Sequence, residues 1–245
     1  MRFSTAAVSR EGGRNRNEDF CGYRDGKAGG GCWVVADGLG GHSGGEIASR
    51  TAVEAFIESY SGKPGVMTPD CLFEHLNAAH SAILERQHAE PRLSAMRTTI
   101  AALISDGASA LWAHVGDTRL YYLRGDRIAA ATKDHSVPQA MADAGEISRE
   151  DIRHHEDRNR LLRDLGGTKG IRPTLLEKPW PLQAGDKFLL CTDGFWEYAT
   201  ETMMLIDLAK AATPDQWLQY MGQRIERNAP GDHDNYSAVA VFAES

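Results

Sequence analysis

Residues 98–131, TTIAALISDGASALWAHVGDTRLYYLRGDRIAAA, hold four apolar runs separated by Asp106-Gly107, Gly116-Asp117 and Gly125-Asp126. The runs 98–104, 108–115, 119–124 and 127–131 have strand length, and Gly-Asp or Asp-Gly pairs between such runs are turn signals. None of the connections is long enough for a parallel crossover, so this stretch predicts an antiparallel meander. Upstream, 3–9 and 32–36 read as strands. Residues 45–60 place Ile47, Ala48, Val53, Ala55, Phe56 and Ile57 on one helical stripe, and a second helix fits 69–90. Downstream, strands are expected at 174–177 and 186–192, a helix at 214–227 and a closing strand at 236–242. Between them, 135–172 is dense in charge, with Arg149, Arg153, His154, His155, Arg158, Arg160 and Arg163. Two short helical pieces in a solvated connection are expected there. Strands in series with helices collected between them predict an α+β domain of stacked sheets faced by helices, one domain over 1–245.

The composition excludes several classes of function. The 245 residues are 42% hydrophobic and 25% charged, so disorder and low-complexity scaffolds are ruled out. With 34 acidic and 27 basic residues the net charge is −7, which disfavours nucleic acid and anionic membranes as partners. Cys21, Cys32, Cys71 and Cys191 contain no pair two residues apart. They read as reduced, mostly buried hydrophobes rather than as a zinc ribbon or a redox pair. The first apolar stretch, 3–8, is too short and polar for a signal-peptide core, and no run approaches the length of a membrane span. A cytoplasmic protein, acting as a monomer, is the expectation.

The chemistry is suggested by where the aspartates sit. Val34-Val35-Ala36 runs into Asp37-Gly38, Leu189-Leu190-Cys191-Thr192 into Asp193-Gly194, and Val115-Gly116 into Asp117, while Asp234 precedes the last strand. A single Asp-Gly is usually a turn. Several carboxylates at one end of stacked sheets, with no histidine or cysteine at ligand spacing, instead suit hard cations such as Mg²⁺ or Mn²⁺. Arg14 precedes Asn17-Glu18-Asp19, and beside bound cations a guanidinium reads as the phosphate holder of a phosphoryl-transfer site.

Six motifs in order then resemble the metal-dependent Ser/Thr protein phosphatases of the PP2C (PPM) type. They are Arg14 with Asn17-Glu18-Asp19, Val35-Ala36-Asp37-Gly38-Leu39-Gly40-Gly41-His42, Val115-Gly116-Asp117-Thr118-Arg119, Lys133-Asp134-His135-Ser136, Leu190-Cys191-Thr192-Asp193-Gly194 and Asp234-Asn235-Tyr236-Ser237. The compact length and the Gly-Leu-Gly-Gly-His form look like the bacterial branch. The resemblance implies a β-sandwich of two antiparallel sheets flanked by helical layers, with 135–172 as the flap beside the active site. It also implies hydrolysis of phosphoserine and phosphothreonine on proteins by a hydroxide bridging two metals, in opposition to a bacterial Ser/Thr kinase. By the same resemblance, Asp37 bridges the two cations and the Gly38 carbonyl ligates one. Asp193 and Asp234 serve the first metal, Glu18 and Asp19 the second, and Asp117 a third, weaker site. Arg14 binds the phosphate. The cofactors implied are Mn²⁺ or Mg²⁺.

Two departures stand out. Leu39 occupies the position of the histidine that follows Asp-Gly in animal members, so metal-associated water is expected as proton donor in place of His42. Asp164, between Arg163 and Leu165, replaces a residue that is usually small; flap arginines are candidate contacts to acidic or phosphorylated substrate. Two rival readings remain. Gly41-His42-Ser43-Gly44-Gly45 fits a serine-hydrolase elbow, with Asp193 and His233 as possible triad partners, although only about 40 residues precede Ser43 and the meander lacks βαβ units. The other rival is a catalytically inactive binding module with the same fold.

Overall fold

The computed structural model describes residues 1–26, 29–40, 44–62 and 66–245. In chain order its elements begin with β1 (Arg2–Arg10), β2 (Asp19–Asp25), β3 (Gly31–Leu39), α1 (Gly44–Gly62) and α2 (Pro69–Ala89). The meander follows as β4 (Arg97–Thr98), β5 (Ile100–Ser105), β6 (Ser109–Val115), β7 (Arg119–Arg124) and β8 (Arg127–Ala131). Then come α3 (Val137–Ala144), β9 (Thr174–Leu175), β10 (Trp180–Pro181), β11 (Lys187–Cys191), α4 (Asp193–Trp196), α5 (Glu201–Leu208), α6 (Pro214–Asn228) and β12 (Tyr236–Glu244). Among the described residues every strand pairing is antiparallel. One sheet has the order β1-β12-β11-β7-β8; the other has β10-β6-β5-β3-β2, with β4 also on β3 and β9 on β6.

The strands read as near-continuous apolar runs because both of their faces are covered. On β3, Trp33 and Val35 face the space between the sheets, while Cys32, Val34 and Ala36 join the core under α1 and α2. On β11, Phe188 and Leu190 face the opposite sheet, and Leu189 and Cys191 face the helices of the other outer layer. Three stacked cores result, in the order helices, sheet, sheet, helices. Phe56, Leu72, Leu76 and Ile83 are fully buried in the first, and burial of such side chains contributes roughly 1.5–3 kcal/mol each. Helix entries are capped by side-chain oxygens followed by proline: Thr68 accepts from the Cys71 amide and Thr213 from the Gln216 amide.

The structure alters several expectations. The run 98–104 is two strands, β4 and β5, split at Thr99, and both pair with β3. Strands β2 and β10 and helices α4 and α5 are additional to the expected elements. The segment 135–172 has its two helical pieces, α3 and a 3-10 turn at Glu150–His154, but it is anchored rather than merely solvated. Ile152 and Leu165 are buried, and the Arg153 guanidinium is paired with Glu201. No cysteine among the described residues is in a disulfide; Cys32, Cys71 and Cys191 are buried and Cys21 half-buried. No helix among the described residues is long and apolar enough to cross a membrane.

Candidate active site

Antiparallel register gathers the acids. Asp19 is the register partner of Asp37 across β2 and β3. Cys191, two residues before Asp193, pairs with Arg119 on one side and Ala238 on the other. The exits of β3 and β11 therefore lie at the same end of the sandwich as the entries of β2, β7 and β12. Glu18, Asp37, Asp117, Asp193 and Asp234 line one pocket of about 430 Å³ there, with Arg14 and the Gly38 backbone. Asp19 sits beneath them, 5% exposed.

The two Asp-Gly glycines are required by close packing. A Cβ at Gly38 would lie 2.0 Å from the Gly45 carbonyl oxygen at the start of α1, and one at Gly194 would lie 2.1 Å from the Asn235 carbonyl oxygen. Neither has a positive φ, so the turn interpretation of Asp-Gly is not what these positions express. Gly116 does: with φ of 97° it makes the turn that presents Asp117.

The acids repel one another. Burial, followed by the charges of Asp19, Asp193, Asp117 and Asp234, holds the Asp37 carboxyl well above the usual carboxylate range. Asp117 is raised in the same way, by burial and then by Asp193 and Asp134. Burial, Glu197 and Asp234 push Asp193 to about 7; burial outweighs the hydroxyl hydrogen bonds at Asp19 and, with smaller contributions from Asp193 and Asp234, pushes it to about 8. Glu18 is raised by burial and by Asp234. Arg14 stands at the mouth, where its Nη2 donates to Asp234 Oδ2 at 3.1 Å with both side chains partly exposed.

A set of hydrogen bonds fixes this end. Thr192 donates to Asp19 Oδ2 at 2.9 Å, while Asp19 Oδ1 is buried with no partner. The Thr99 hydroxyl accepts from the Asp37 amide at 3.1 Å and meets the Thr118 hydroxyl at 2.5 Å, tying Asp37 to the loop of Asp117. Asn235 accepts from the Glu18 amide and donates to the carbonyls of Glu11 and Arg16, holding the 11–18 segment over the pocket. The loop that carries Asp117 is held in place around it. The Trp196 indole donates to its carbonyl at 2.9 Å, and the His135 ring accepts from the Gly116 amide. Arg119, held by Asp134 through two bonds of 2.8 Å, stacks 3.4 Å above the Trp196 ring. The sequence had marked Asp134, His135 and Asn235 as motif members without a role, and these contacts supply one. Asn159 and Leu161 of the flap also line the pocket and were not anticipated.

The donor set fits a hard divalent cation: it is all oxygen, strongly self-repelling, and contains a buried carboxylate oxygen without a donor. The acids line a pocket rather than a closed cluster, and among the described residues no group of three or more His, Cys, Asp or Glu is already set to hold a metal ion. His42 and Ser43 lie outside the described residues. His233, the proposed triad histidine, bonds the Pro230 carbonyl through Nδ1 at 2.7 Å and does not line the acid pocket, which Asp193 does.

Comparison with known proteins places this geometry. The family described as Protein phosphatase 2C matches residues 8–234. The serine/threonine phosphatase stp of Listeria monocytogenes is 32% identical over 232 residues, covering 93% of this chain and 90% of that one. The serine/threonine protein phosphatase PstP of Mycobacterium tuberculosis is 34% identical over 172 residues; the alignment covers 70% of this chain but spans only about a third, 33%, of that protein. A crystal structure of the PstP catalytic domain in complex with two manganese ions superposes with a TM-score of 0.83 at 29% identity, covering 99% of each chain. A two-sheet sandwich carrying its acids at one end, and a match extending over most of its length, both lead to the same conclusion: this chain belongs to the protein phosphatase 2C family.

Proposed function

We propose that this chain hydrolyses phosphoserine and phosphothreonine on proteins, with Mn²⁺ or Mg²⁺ held at two tight sites and a third, weaker one. The observation that carries the reading is the group of mutually repelling carboxylates around Asp37, with the donorless Asp19 Oδ1 beneath. Asp37, Asp193 and Asp234 would hold the first cation and Asp37, Glu18 and Asp19 the second, with the Gly38 carbonyl on one of the two; Asp117 would hold the third. Bound cations would supply Lewis-acid charge for the phosphoryl oxygens and an activated water as nucleophile.

The chain's own residues do the rest. Arg14, at the mouth, is free to exchange its exposed contact with Asp234 for phosphate oxygens, which a guanidinium grips bidentately. Trp196, Thr99 and Thr118 keep Asp117 and Asp37 in fixed relation, so the charge is preorganised rather than gathered during the reaction. Leu39 stands where animal members place a histidine. Water in the pocket is therefore the proton source for the leaving alkoxide, and a normal pH-rate profile in His42→Ala is expected. The cellular setting that suits this reading is the cytoplasm, opposite a Ser/Thr kinase.

Hydrolysis of p-nitrophenyl phosphate and phosphothreonine peptides should require Mn²⁺ or Mg²⁺, stop with EDTA and resist fluorophosphonate serine reagents. Full turnover in chelated buffer, or labelling of Ser43 with loss of activity, would overturn the reading in favour of a serine hydrolase. No metal-dependent turnover at all would favour an inactive binding module.

A further inference from the structure

A second pocket, of about 280 Å³, adjoins the acid pocket and has the opposite charge. Arg97, Arg163, Lys169 and Arg172 line it, against the single acid Asp164. This in a chain of net charge −7 is a local reversal. The two pockets share a wall. Arg97 on β4 is the register partner of Leu39 on β3, and Leu39 lines the acid pocket. On the flap, Asn159 and Leu161 line the acid pocket while Leu162, Arg163 and Asp164 line the basic one. An isolated β-bridge between Thr98 and Leu165 fixes the flap segment against β4.

The flap arginines thus divide into two groups. Arg153 and Arg158 are committed to Glu201 and Glu197. Among the described residues the only ion pair in the basic pocket is a loose one, Arg97 Nε to Asp164 Oδ1 at 3.9 Å. Lys169 and Arg172 are exposed and form no ion pair among the described residues. Asp164, the departure noted in the sequence, is therefore the resident counter-ion of an otherwise cationic pocket. Its side chain is 36% exposed, so an incoming anion can compete with it for Arg97.

Resting on the phosphatase reading, we propose that this pocket is a specificity subsite that takes an acidic side chain of the substrate, a carboxylate or a second phosphate, a few residues from the phosphoresidue. Adjacent register partners in a sheet lie about 5 Å apart, and an extended chain advances about 3.3 Å per residue. A peptide whose phosphate enters the acid pocket therefore reaches the basic one within a few residues. Asp164 sets the threshold, since its charge reduces the gain from a weak anion more than from a doubly charged one.

The test uses phosphothreonine peptides of equal length flanked by Glu or by Gln, on either the N-terminal or the C-terminal side, with p-nitrophenyl phosphate as a small ester that needs the acid pocket alone. Wild type should favour a Glu peptide on one side by about three- to tenfold in kcat/KM, chiefly through KM, and lose the preference at about 0.5 M salt. The exposed double variant Lys169→Ala/Arg172→Ala should erase the preference, with p-nitrophenyl phosphate turnover and melting temperature unchanged. Asp164→Asn should widen it. Equal kcat/KM for Glu and Gln peptides, or a double variant that slows p-nitrophenyl phosphate as much as the peptides, would overturn the subsite. Wild type inactive on every ester would instead count against the phosphatase reading. Fluorescence anisotropy of a labelled Glu peptide then decides the pocket by itself: binding weakened about threefold by the double variant supports it, and unchanged binding overturns it.

Discussion

Strand β11 has an aspartate at each end, and the protein treats the two in opposite ways. At the entry, Asp186 accepts two hydrogen bonds from Arg124, at 2.8 and 2.7 Å, and one from the Gln183 amide at 2.8 Å. Burial alone would raise its pKa, but these donors outweigh burial and hold it below the usual value. At the exit, Asp193 accepts from the Gly194 amide and faces Glu197 and Asp234 as well as Asp37. Burial and these charges raise it to about 7. The same chain can evidently neutralise a buried carboxylate where the purpose is structural. At the acid end it does not, and the difference supports the proposal that cations complete the site.

The largest effect expected from this contrast is on turnover. Asp193→Asn should lower kcat by about a thousandfold, equivalent to about 4 kcal/mol of barrier, while the metal-free protein melts no lower than wild type because a repelling charge is gone. Asp186→Asn should do the reverse, costing about 2–3 kcal/mol of stability with kcat retained, since it leaves the partly exposed Arg124 without its partner. Thermal melts and steady-state kinetics on both variants check the pair; lost stability in Asp193→Asn with normal turnover would erase the distinction. Next comes Trp196→Phe, which keeps the ring under Arg119 and removes the donor to the Asp117 carbonyl. It should reduce kcat about three- to tenfold and cost about 1 kcal/mol of stability. Asp117→Ala should lower kcat about tenfold with two tight cations retained, and wild-type turnover in either variant would reduce Asp117 to a strand-end residue.

A separate effect is on pH dependence. Asp19 and Asp193 have folded-state pKa values of about 8 and 7, above the unfolded value of about 4, so between these limits the native state binds more protons than the unfolded one. In chelated protein the stability from this source is therefore full below about pH 4 and declines as pH rises toward 8. Asp19→Asn should flatten that decline, and excess Mn²⁺ should oppose it. Melts from pH 5 to pH 8 compare the three; a slope identical in wild type and Asp19→Asn would remove Asp19 from the field.

Much of the architecture was legible because burial on both faces leaves long apolar runs, and β5, β6, β7 and β11 advertise themselves in this way. Strand β2 does not: DFCGYRD is an edge strand, half-buried at Phe20 and Cys21 and polar at both ends. It was recognised as a source of acids, Asp19 among them, and not as a strand. The acids themselves could be read from their positions at strand ends. Their holders could not, because Asn235, Thr99 and Trp196 act through hydrogen bonds to residues 62 to 217 positions away, a separation that no local pattern records. The glycines of Asp37-Gly38 and Asp193-Gly194 answer to a close approach by distant backbone, which local sequence does not distinguish from a turn.

The claim that the acid end is completed by divalent cations is tested most directly by titrating Mn²⁺ into chelated wild-type and Asp193→Asn protein at neutral pH, by calorimetry with parallel thermal melts. The account predicts two tight sites in wild type, with a melting temperature that rises with Mn²⁺ concentration. Asp193→Asn should lose at least one of these sites and most of that rise. Absence of binding heat in wild type, with a melting temperature indifferent to Mn²⁺, would contradict it.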